Sequence, residues 1–452
     1  LLECNRAAGP GLTHPTQEAK TMFHDDPRIP SEMSRRHWLK HMAMTAMAIP
    51  AMQFTRAIQA NAATLKKEGK SCILLWMGGG PATIDIWDLK PGDANGGEFH
   101  PAATSVPGIQ ISEHMPNVAK QMKNLAIIRS MSTTEADHNR GTYKMHTGYV
   151  PNVTMQHPSI GAVSAFELGP QIKEFELPHF VSVGTPGAGA GFLGMAHAPF
   201  VVQNPGSPIQ NLTPPGGLAG FRMDNRLTLQ KLMDEEFIRQ DRGTAAKDHK
   251  EIYDKTVKMM NSKRLDAFKL DSEDKKTKER YGETGFGRGC LMARRLVETG
   301  VTFVEVGLGG WDTHQRTFEA HKTRLQPELD KGMGALVEDL AQRGLLEKTL
   351  VIWMGDFGRT PRINQDAGRD HWARSWSVVL GGCGIKGGQV VGRTSEDGTQ
   401  VEERPLDTPD LLATCYRALG IPTDRQYTTP NGRPYWVVDK DANAHPISEL
   451  IG

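Results

Sequence analysis

Carboxylates and imidazoles recur in three short segments of this chain: Gly310-Trp311-Asp312-Thr313-His314, Gly355-Asp356-Phe357-Gly358-Arg359 and Arg369-Asp370-His371-Trp372. Asp oxygen together with neutral His nitrogen suits a divalent cation of borderline or hard character. Ligands spread over several loops are ordinary at one edge of an α/β sheet. Two further segments carry the same residue types. One runs from Gly78-Gly79-Gly80-Pro81 to Asp85 and Asp88, and the other holds Ser132, Thr133, Thr134, Asp137, His138, Asn139, Arg140 and Thr142. A two-metal cleft uses such groups to polarise an ester oxygen, to lower the pKa of a water or hydroxyl nucleophile, and to hold attacking and leaving oxygens. Arg140 and Arg359 are natural partners for the nonbridging oxygens of a phosphate or sulfate, because guanidinium pairs with them bidentately. The plainer alternative is that each polar residue caps a helix or ties a loop.

These segments need elements to position them. The run Cys72-Ile73-Leu74-Leu75-Trp76-Met77 stops at the glycine turn and reads as a buried first strand. Further buried strands are expected at residues 125–129, 179–183, 302–306, 349–354 and 376–380. Apolar residues at three- and four-residue spacing predict helices over 318–343 and 408–419, and another helix is expected to end near Thr147-Gly148. Strand and helix alternating over nearly four hundred residues predicts a doubly wound α/β sandwich, with a mostly parallel sheet and helices on both faces. Residues 240–281, dense in charges of mixed sign, read as solvated peripheral helices, and residues 184–194 and 204–217 as loops. No boundary divides the stretch 63–452, so one domain is expected there.

The formal charge of +1 provides no field for nucleic acid. Residues 1–33 are polar and aperiodic and read as a disordered leader. Residues 34–62 have the layout of a twin-arginine signal: Arg35-Arg36 precedes a moderately apolar run, and Ala60-Asn61-Ala62 offers a small-residue cleavage site. That run holds Pro50 and is too short to span a bilayer. The expected mature protein begins near Ala63 and is periplasmic or secreted, with the twin-arginine machinery as a partner. Cys72, Cys290, Cys383 and Cys415 are widely spaced and are expected as free thiols.

The ordered motifs Met77-Gly78-Gly79-Gly80-Pro81-Ala82-Thr83-Ile84-Asp85, Asp137-His138-Asn139-Arg140-Gly141, Trp311-Asp312-Thr313-His314, Gly355-Asp356-Phe357-Gly358-Arg359 and Asp370-His371-Trp372 together resemble an exported bacterial family, domain of unknown function 1501. That family is related to the alkaline phosphatase and sulfatase superfamily. The resemblance spans the expected mature chain and implies an alkaline phosphatase-like fold. It implies a hydrolase of phosphate or sulfate esters using zinc, manganese, calcium or magnesium. Asp312, His314, Asp356 and His371 are the implied metal ligands, with Asp85 joining them if its loop folds back. Asp137 and His138 are implied as acid-base groups or further ligands. Phe357 departs from the pattern, since a phenyl ring cannot ligate. His138 stands where the superfamily carries its nucleophile, which argues against formylglycine. Ser132, Thr133, Thr134 or Thr142 could serve instead, or His138 could bind metal or activate water directly. The alternative reading is a noncatalytic cell-envelope protein that binds sulfated or anionic polysaccharide. The oligomeric state is not legible.

Overall fold

The computed structural model describes residues 69–451 except 173, 210–211, 213–220 and 241–244. The chain divides into Leu1–Ala57 and Ile58–Gly452, and all that follows belongs to the second unit. The leader and the twin-arginine segment lie outside the described residues.

Eight strands form the central sheet: β1 (Ser71–Gly78), β2 (Leu125–Met131), β3 (Phe180–Val183), β4 (Phe200–Val202), β5 (Phe303–Gly309), β6 (Thr349–Gly355), β7 (Trp376–Gly381) and β8 (Gln389–Val391). Their order is β8-β2-β7-β6-β1-β5-β3-β4. All pairings are parallel except those of β7, which runs antiparallel to both β2 and β6. The six expected strands are all present. The two missed, β4 and β8, are three-residue strands at the edges, too short to leave a pattern.

β1 shows why the sheet is central. Its side chains alternate between two cores, Ile73, Leu75 and Met77 on one face and Cys72, Leu74 and Trp76 on the other. A strand buried on both faces reads as one unbroken apolar run. Helices α1 (His138–Thr147), α2 (Ile160–Leu168) and α5 (Thr408–Leu419) send Met145, Ile160, Val163, Leu411 and Cys415 into the second core. Helices α3 (Gly285–Thr299) and α4 (Gln326–Gln342) cover the first through Cys290, Leu291, Leu329, Met333 and Leu336. This is the doubly wound arrangement that the alternation predicts, with helices on both faces. The periodic stretch 318–343 is helical throughout but passes through a π-turn at His321–Leu325 before α4. The helices 221–239 and 245–260 lie at the periphery; the first buries no residue. All four cysteines of the described residues are buried and free. No helix among the described residues is long and apolar enough to cross a membrane.

The one antiparallel strand matters for chemistry. The parallel strands β1, β2, β5 and β6 deliver Gly79-Gly80, His138, Asp312 and Asp356 beyond their carboxyl ends. Because β7 is reversed, the segment before it, His371–Trp372, arrives at that same edge and pairs with Gly358–Arg359.

Candidate metal centre

α1 starts where the loop after β2 ends. Asp137 caps it, its side chain accepting from the Arg140 amide at 3.1 Å, and Gly148 closes it in the left-handed conformation at φ 80°. His138 thereby sits at the first helical position, its ring stacked on Phe357 with centroids 4.9 Å apart. Phe357, which cannot ligate, acts as a wall. Gly141, one turn further along, lets α1 approach closely, since a Cβ there would lie 2.9 Å from Phe357 Cδ1.

Three imidazoles converge on Asp312. His314 Nε2 lies 3.0 Å from Asp312 Oδ1, His371 Nε2 3.4 Å from the same oxygen, and His138 Nε2 3.4 Å from Oδ2. His138, Asp312 and His371 each offer one ligand atom within 4.8 Å of the others. Every Nδ1 points away and donates: His138 to Asp356 Oδ2 at 2.6 Å, His314 to Asp370 Oδ1 at 2.6 Å, and His371 to the Ala136 carbonyl at 2.8 Å. These acceptors place the ring protons on Nδ1 and leave the Nε2 lone pairs turned inward. The Nε2 atoms of His314 and His371 face each other at 3.1 Å, and the buried Nε2 of His138 has no hydrogen-bond partner. Lone pairs meeting in this way are unfavourable unless a proton or a cation lies among them. The set therefore fits a divalent ion, which His138, Asp312 and His371 would hold, with His314 beside Asp312 as a further donor.

The electrostatics agree. Burial raises the Asp312 carboxyl, but the Arg359 guanidinium outweighs it, with His138 and His314 adding to the effect, and the pKa falls to about 2. His138 is raised above the usual imidazole value, first by its hydrogen bond to Asp356, against the opposing effect of burial.

The structure places several of the expected residues apart from the cluster. Asp85 is one of them. It is completely buried, and both its oxygens receive Arg369, Nε on Oδ2 and Nη2 on Oδ1, each at 2.7 Å. The loop after β1 folds back onto Arg369 and not into the cluster. Asp356 is set behind His138, holding its ring, and is not among the three residues whose ligand atoms lie within 4.8 Å of one another. Asp137 is an exposed helix cap. Arg140 is clamped bidentately by Glu135 at 2.6 and 3.0 Å, so it is not turned to the cluster. Arg359 is buried and spends its guanidinium on the carbonyls of Gly79, Gly80 and Arg369 and on Asp312. Through these contacts it positions Asp312. No hydrogen bond among the described residues joins Ser132, Thr133, Thr134 or Thr142 to the cluster. The residues that went unassigned are Asp370 and the Ala136 carbonyl. A carboxylate adjoining a histidine, as in Asp370-His371, is the signal that could have marked the first.

No curated protein matches the chain in sequence. Among solved structures, the chain is similar to the phosphonate monoester hydrolase of Silicibacter pomeroyi (11% identity, 84% of this chain and 76% of that one, TM-score 0.37). It is also similar to the PsFucS1 sulfatase of Pseudoalteromonas sp. (13%, 81% and 71%, TM-score 0.34) and to a Vibrio parahaemolyticus protein of the alkaline phosphatase superfamily (14%, 78% and 67%, TM-score 0.32). At these scores the likenesses are distant, and the chemistry rests on this chain's own residues. In sequence, the family model described as protein of unknown function (DUF1501) matches residues 69–451, a stretch that contains every strand and every residue of the cluster, and the chain belongs to that family.

Proposed function

We propose that the protein is a metal-dependent hydrolase of phosphate or sulfate esters, exported by the twin-arginine route. The observation that carries this reading is the inward meeting of Nε2 lone pairs on Asp312 while every Nδ1 proton is committed elsewhere. That is the preparation a cation needs and a capping network does not. A divalent ion held there would supply a Lewis acid for an ester oxygen and for the ionisation of water.

The chain's own residues do the rest. Asp356, Asp370 and the Ala136 carbonyl fix the tautomers of the three rings, so that in each neutral imidazole Nε2 is the nitrogen left to bind. Arg359 keeps Asp312 ionised and in place. Phe357 and the Gly79-Gly80 turn line the cluster without offering competing ligands. Asp312, His314 and Asp370 are roughly half exposed, so a substrate can reach the cluster from solvent. The hydrolysis adds the oxygen of water to phosphorus or sulfur as the bond to the alcohol oxygen breaks, and the alcohol leaves with one of the water's protons. Among the described residues no hydroxyl side chain is hydrogen-bonded into the cluster, which favours direct attack by water over a covalent intermediate.

The test is hydrolysis of aryl phosphate and aryl sulfate by chelator-treated protein, resupplied in turn with zinc, manganese, calcium and magnesium. Metal-dependent release of the phenol supports the reading, and no release under any supplement rejects it. The same absence of an engaged hydroxyl favours a second reading, a centre that binds sulfated polysaccharide without cleaving it. Metal-dependent binding with no cleavage would move the assignment there.

A further inference from the structure

The charges around the cluster can be followed through the contacts that hold them. Asp312, Asp356 and Asp370 contribute three negative charges, and Arg359 returns one positive charge through its contact with Asp312. With neutral imidazoles, a divalent ion brings this group to zero net charge. Of the cations close by among the described residues, Arg369 is spent on Asp85 and the carbonyls of Thr360, Pro361 and Asn95, and Arg140 on Glu135, whereas the exposed Arg324 reaches only the Gly309 carbonyl, at 3.5 Å, and Arg374 stacks over Trp372. The carboxylates that a second ion would require are spent as well, Asp85 on Arg369 and Asp356 on His138.

We infer that the centre takes one divalent ion and that its ester carries a single negative charge, as a sulfate monoester or a phosphodiester does. A phosphate monoester dianion would bring a second charge that the exposed carboxylates of Asp370 and Asp137 oppose. The stoichiometry follows from the contacts alone, while the substrate half rests on the hydrolase reading above.

The full chain, stripped of metal and dialysed, is titrated with zinc and with manganese by calorimetry, with elemental analysis at saturation. It is then assayed on p-nitrophenyl sulfate, bis(p-nitrophenyl) phosphate and p-nitrophenyl phosphate at a pH where the last is a dianion. The expected result is one equivalent of metal, with kcat/KM for the better singly charged ester at least about tenfold above that for the dianion. Two equivalents at saturation would overturn the single ion. Equal or better turnover of p-nitrophenyl phosphate would overturn the charge preference. One bound ion with none of the three esters cleaved would uphold the single ion and reject the substrate half together with the hydrolase reading.

Discussion

Asp370 and Asp356 bear on metal affinity without touching the metal. Each accepts an Nδ1 proton at 2.6 Å, from His314 and His138 respectively, and so determines which way the opposite nitrogen offers its lone pair. Outer partners of this type are generally worth 10- to 100-fold in metal affinity. Asp370→Asn, at a half-exposed position, is therefore expected to weaken metal binding about 10- to 100-fold by competition titration while leaving the denaturation midpoint nearly unchanged. An unchanged affinity would show that the contact is incidental. The residue types at the cluster were legible in the sequence, because His138, Asp312, His314 and His371 all follow or approach strand ends within recognisable motifs. Their division of labour was not legible. Asp85 and Asp356 look the same as Asp312 in one dimension, and only the fold reveals that Arg369, 284 positions from Asp85, has taken the first of them.

At the scale of elements, the glycine turn after β1 joins the sheet to the cluster. Gly79 has φ +109°, and a Cβ there would stand 2.6 Å from the Asp312 amide nitrogen. Its carbonyl and that of Gly80 accept from Arg359, so the turn, Arg359 and Asp312 form one unit. Gly79→Ala is expected to cost more than about 1 kcal/mol of stability, since alanine is strained at positive φ, and to lower metal affinity by displacing Asp312. Chemical denaturation and metal titration of the variant read the two effects, and retention of both would detach the turn from the site. The apolar runs made the six longer strands legible. The reversal of β7 was not: an apolar run has the same composition in either direction, yet this reversal brings His371 to the edge shared with Asp312.

At the scale of the whole molecule, the π-turn after residue 320 buries His321 completely between the sheet edge and α4. It packs near Trp311 and Phe99, and Gln326 Nε2 donates to its Nδ1 at 3.3 Å. Burial first, then the positive fields of Arg369, Arg359, His114 and Arg324, lower its pKa to about 3. An unfolded chain takes up this proton near 6.5. Between those values the unfolded state holds more protons, so stability contributed by neutral His321 is complete above about pH 6.5 and declines as pH falls toward 3. Urea midpoints measured across that window are expected to fall with pH, and to fall less steeply in His321→Leu. Equal slopes in the two proteins would mean that His321 does not titrate on unfolding.

The central claim is that three imidazoles and Asp312 are arranged for a divalent ion, and elemental analysis addresses it most directly. Wild type and the Asp312→Ala, His371→Ala double variant would be purified without chelators or a histidine tag, with circular dichroism establishing that both are folded. Bound metal in the wild type and none in the folded variant is the expected result. A wild type that carries no metal, and takes up none when zinc, manganese, calcium or magnesium is supplied, would contradict the account.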